Sequence, residues 1–155
     1  MHGYQTTHAF GVNASGNVVI GFGKGALLPT GDFDNGVREG FIWTPKLGIS
    51  TLKQFLSVQG MRVADDVNLA APVGISADGT RIIGSGFILP LGSFYGWVLD
   101  INKVTVCHAP PGNPNNAHTV QVDFGSLDDH LGHGDTLGPC SCESNGNGNG
   151  NGNGH

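Results

Sequence analysis

The chain has 155 residues, enough for one ordinary domain or for part of one with a small appendage. Only 12% of its residues are charged, and its seven Lys and Arg against twelve Asp and Glu exclude a nucleic-acid footprint or a patch for anionic membrane surfaces. No apolar run approaches the roughly 18–20 residues that span a bilayer.

The N-terminus, "MHGYQTTHAF", has no basic n-region or apolar h-region, so no signal peptide is visible. The remainder reads as extracellular, and a secretion signal is therefore expected upstream of this sequence. Residues 1–102 form the first segment and read as all-β. Short apolar runs ("NVVIGFG", "REGFIWT", "TRIIGSGF", "YGWVLDI") are separated by turn signals such as "ASGN", "DNG" and "ADGT". "GVNASGNVVIG" (Gly11 to Gly21) lines up with "GISADGTRIIG" (Gly74 to Gly84), and each copy precedes an aromatic-Trp strand, "GFIWT" or "YGWVL". Such a strand-turn-strand repeat marks a propeller blade or a similar array, although the smallest propellers have about four blades. The alternative is two ordinary hairpins with generic turn chemistry. Between the copies, Ile49, Leu52, Phe55 and Leu56 have helix-like spacing, which predicts a short helix packed on the sheet.

These residues resemble the HAF-type repeats of extracellular bacterial proteins, in which a His-Ala-Phe opener precedes a Gly-rich hairpin and an aromatic-x-Trp strand. The resemblance covers about residues 8–101 and implies a secreted, β-propeller-like fold with no particular chemistry. With only two copies here, the expected form is an incomplete propeller.

The second segment, residues 103–142, is rich in His, Pro, Asn and Cys. "VTVCH" places Val104, Val106 and His108 on one strand face and Thr105 and Cys107 on the other. "HTVQVDF" aligns His118, Val120 and Val122 in the same way, and "APPGNPNNA" is turn chemistry, so the two stretches predict a hairpin with His108 and His118 at its mouth. In "GSLDDHLGHGD", Ser126 and Asp129 have capping-box spacing for a helical turn from Leu127, which would put His130 and His133 on one side and end at Gly134. Asp129 and Asp135 are close enough to supply an oxygen ligand or to accept a ring N–H. Neutral imidazoles with a carboxylate suit Zn²⁺ best and Cu²⁺ next, so His108, His118, His130, His133 and Asp135 form the candidate metal set. The competing reading has these histidines exposed, or bonded only to loop carbonyls and carboxylates.

Cys107 and Cys140 are expected to form a disulfide, worth about 3–4 kcal/mol for a loop of this length. Cys142 is left to compete for Cys107 or to stay free. In the rival reading all three cysteines ligate zinc, but "CSC" is not the usual C-x₂-C knuckle. The stretch from Cys107 to Cys140 also resembles a C-terminal module of secreted bacterial proteins, C-H-x-P-P-G-N-P-x-N-x-H-T-[VI]-x-V…H-L-x-H-G-D-x-x-G-x-C. That resemblance implies an extracellular setting and no established activity. Residues 143–155, mostly Asn-Gly repeats, are expected to be a disordered tether.

The function expected is that of a secreted, non-enzymatic surface, matrix or filament-forming protein that self-assembles or meets other cell-surface proteins. The alternative is a metal-dependent extracellular enzyme built on a His-rich Zn or Cu site, with Asp129 or Asp135 as base, although the sequence has no HExxH or nucleophile elbow. Carbohydrate binding through Phe41, Trp43, Tyr95 and Trp97 is a further expectation, set against the blander role of blade core.

Overall fold

The computed structural model describes residues 6–24, 38–88 and 93–141; Cys142 and the Asn-Gly tail lie outside the described residues. Three antiparallel sheets follow one another along the chain. The first contains β1 (Thr6–Val12), β2 (Val19–Lys24), β3 (Arg38–Thr44) and β4 (Gly48–Thr51) in that order. The second contains β5 (Val67–Ile75), β6 (Arg81–Ile88) and β7 (Ser93–Asp100). The third places β8 (Lys103–His108) between β9 (His118–Asp123) and the two-residue β10 (Thr136–Leu137). The protein is thus mostly β, but among the described residues the sheets close no propeller ring.

The two repeats fold alike in detail. Equivalent residues lie 63 positions apart, and both copies carry a strand irregularity at the same point, between Ala9 and Gly11 and between Pro72 and Gly74. Both turns pivot on a glycine with positive φ, Gly16 at 76° and Gly79 at 80°, a conformation that costs glycine little. Asn13 Oδ1 accepts from the Val18 amide in the first turn, and Ser76 Oγ accepts from the Arg81 amide in the second. Each repeat then tucks a glycine beneath the aromatic ring directly opposite on the next strand. Gly21 sits under Phe41 and Gly84 under Trp97, and a Cβ at either position would overlap ring or backbone atoms. The aromatics named as sugar-binding candidates are therefore largely occupied. Phe41 is buried, Trp97 covers Gly84, and the Tyr95 hydroxyl donates to the Asn68 carbonyl.

The predicted helix is α1 (Leu52–Val58), started by Thr51, whose side chain accepts from the Gln54 amide while the Gln54 side chain accepts from the Thr51 amide. Its Leu52, Phe55 and Leu56 meet Ile20, Ile42 and Ile82 of the repeats and Val104, Val106, Phe124 and Leu127 of the third sheet region in one hydrophobic cluster. The C-terminal hairpin is anchored in this shared core. A tie from Thr44 Oγ1 to Asp128 Oδ1 (2.6 Å) and a two-way bond between Gln59 and the Thr105 backbone fasten it further.

Candidate metal centre

Strand alternation sends Val104 and Val106 into the core, and His108, next on the same face, stands just beyond it. Its direct partner across the hairpin is His118. After β9 the chain makes a 3-10 turn (Phe124–Ser126) that buries Phe124, then enters α2 (Leu127–Gly132). The helix begins where expected, but the capping box does not form: Ser126 donates to the Asp123 carbonyl at 2.8 Å. Arriving through a 3-10 turn leaves Ser126 at φ −97°, ψ 0°, not in the extended conformation that aims a capping side chain at the helix amides.

His130 lies within α2 and is half-buried. His133 is the C-cap of that short helix and is exposed, so the two do not act as a pair and His133 lies outside the cluster. Gly134, at φ 99°, then reverses the chain. β10 pairs Thr136 with Cys107, which brings the preceding Asp135 alongside His108. On the opposite strand face Cys107 is bonded to Cys140, with the Cα atoms 4.6 Å apart. The disulfide reading of the cysteines thus describes Cys107 and Cys140.

Asp135 is the centre of the arrangement. Its side chain is fully buried, and its Oδ2 lies 2.9 Å from His108 Nδ1 and 2.7 Å from His130 Nδ1. Its Oδ1 accepts from the Ala109 amide at 3.0 Å. Burial pushes the carboxyl pKa upward, but the bonds from His108, the Ala109 amide and His130 outweigh it and hold the group at about 2. The Asp135 carboxylate is ionised and accepts three hydrogen bonds. In neutral rings this fixes the tautomer: both Nδ1 atoms carry hydrogen, and both Nε2 atoms offer a lone pair. His118 follows the same logic, with its Nδ1 against the Asn116 carbonyl at 3.1 Å. The His108 ring is 5.5 Å from that of His118 and 5.9 Å from that of His130, nearly perpendicular to each.

Ligand-capable atoms of His108, His130 and Asp135 all fall within 4.8 Å of one another, a spacing that can hold a metal ion. His118 is exposed at the rim beside them. Asp129 is exposed and lies outside the group. No family model, curated protein or solved structure matches this chain. Its chemistry is therefore read from its own residues. The Ala109 amide and the Asn116 carbonyl carry no side-chain signature, which hides them from sequence reasoning. A cleft lined by Asn13, Asn17, Thr44, Asp78 and Asp128 among others lies between the repeat turns and α2, and none of the histidines lines it.

Proposed function

We propose that this chain is a secreted, non-enzymatic surface or matrix component of the HAF-repeat type, whose C-terminal hairpin is locked by a structural metal ion. His108 and His130 would ligate through Nε2, His118 would supply a third imidazole, and Zn²⁺ is the favoured ion with Cu²⁺ second. The observation that carries this reading is the Asp135 Oδ2 atom shared by two ring N–H groups. A buried carboxylate behind histidines fixes ring orientation and raises ligand basicity, the usual outer partner of a metal-bound imidazole. The hydrophobic core secures the near end of the β8–β9 hairpin, and the ion would fasten its far end to α2. The disulfide accords with an oxidising, extracellular setting, and no helix among the described residues is long and apolar enough to cross a membrane.

The enzyme alternative rests on one observation. His108 and His130 remain 30% and 28% exposed, which leaves room for a metal-bound water. Asp135, engaged by three donors, is not free to serve as the base of such a reaction. Elemental content of protein purified without a histidine tag tests the main reading. One Zn²⁺ per chain, lost in His108→Ala and His130→Ala but kept in His133→Ala, is the expected result. Absence of bound metal after incubation with stoichiometric Zn²⁺ would overturn it.

A further inference from the structure

The two repeats differ in what covers them. In the first, the sheet face carrying Gly11, Ile20, Gly40 and Ile42 is covered by β5 of the second repeat. A Cβ on Gly11 would meet Ile75, and one on Gly40 would strike the Leu69 carbonyl and Pro72. The turns are joined too, by the Ala14 amide donating to the Ala77 carbonyl at 2.9 Å. Ile20 and Ile42, directly paired, are both 0% exposed.

The same face of the second repeat carries Gly74, Ile83, Gly96 and Val98, and nothing within the described residues covers it. Ile83 and Val98, the pair equivalent to Ile20 and Ile42, are 47% and 68% exposed, and Phe94 on the same face is 87% exposed. Gly96 holds the position of Gly40, since each lies opposite the equivalent β2 or β6 residue, Phe22 or Ser85. Yet a Cβ on Gly96 would find its nearest atom 3.9 Å away. A glycine inside a strand weakens it and often marks close approach of another backbone. For Gly40 that backbone is β5. For Gly96 the described residues supply none.

We infer that this face receives β1 of a second copy of the chain, seated as β5 is seated on the first repeat. β1 is the repeat equivalent of β5, with Ala9 in the place of Pro72 and Val12 in the place of Ile75. Pro72 is fully buried at the internal junction, whereas Ala9 and Val12 are exposed, Val12 by 57%. Each copy therefore carries one face of each kind, and the contact is head-to-tail. Such a heterologous contact generates a closed ring or an open filament, not a symmetric dimer. This extends the scaffold reading and requires no metal, so its failure leaves the metal centre standing.

Sedimentation velocity in EDTA, from about 1 μM to about 1 mM at ~0.15 M salt, tests it. The wild-type mass is expected to rise at least threefold above the 16.0 kDa monomer with concentration. Val98→Asp and Val12→Asp each remove one exposed face and should stay monomeric. Mixed in equal amounts they should form a species of twice the monomer mass and nothing larger, because each keeps the face the other lacks. Gly96→Leu should match Val98→Asp with an unchanged melting curve, and Ile49→Asp, on β4 but on the same sheet face as Val12 and also exposed, replaces Val12→Asp if circular dichroism shows the latter unfolded. A wild type that stays monomeric, or a mixture that fails to double in mass, overturns the inference.

Discussion

The repeats and the C-terminal hairpin share one core but hold their outer parts by different means. In the repeats, glycines let backbone and aromatic rings approach closely, and the turns are set by short Asn, Ser and Asp bonds. Among the described residues the far end of the hairpin has no such packing; a disulfide and one buried carboxylate do the holding. Burial is spread over many residues, so it tolerates single polar changes at the rim. A clasp concentrates the same task in a few atoms, and losing one of them should be felt.

The contrast sharpens first at the sulfur bridge. Replacing Cys107 and Cys140 by Ser should cost about 3–4 kcal/mol. Amide exchange should accelerate most in β8, β9 and α2, and equal acceleration in β1 and β6 would break the distinction. Next comes a matched pair of glycines. Gly40→Ala, which drives a Cβ into the Leu69 carbonyl, should cost about 3 kcal/mol, whereas Gly96→Ala, with open space, should change the monomer by under ~0.5 kcal/mol in urea unfolding.

The carboxylate follows. Asp135 is held at about 2 against its usual 3.8, so the unfolded chain takes up this proton first as pH falls. Its contribution, roughly 2 kcal/mol, is complete above about pH 4 and is lost as pH falls through 2. Asp135→Asn should remove that acid-dependent part of the unfolding curve between pH 4 and 2, and an identical pH profile in the variant would contradict the assignment. The smallest effect is expected at His133. Exposed at the helix end, His133→Ala should shift stability by under ~0.5 kcal/mol and leave metal content unchanged.

What the sequence made legible is local. The repeat could be read because its turns depend on Asn13, Ser15, Gly16 and their counterparts Ser76, Asp78 and Gly79, all within a few residues. The β8–β9 hairpin and the two helices follow from alternation and spacing in the same way, whereas cysteine arithmetic left Cys142 as a rival to Cys140 for Cys107, and the fold pairs Cys107 with Cys140. Three things were not legible. The seat of Asp135 depends on β10, a two-residue strand too short to leave a pattern, pairing with β8. The fate of Ser126 depends on a 3-10 turn that no spacing rule announces. The anchoring of the hairpin depends on long-range contacts of Phe55 and Leu56 with Phe124 and Leu127, which nothing in the hairpin's own composition encodes.

The claim on which the proposed metal centre rests is the protonation pattern of its rings, and nitrogen NMR of His108, His118 and His130 reads it directly. In its neutral form each ring of His108 and His130 in the metal-free protein should carry hydrogen on Nδ1, and one equivalent of Zn²⁺ should move their Nε2 resonances while Nδ1 stays protonated. A neutral ring with its hydrogen on Nε2 before Zn²⁺ is added, or resonances indifferent to Zn²⁺, would contradict the account.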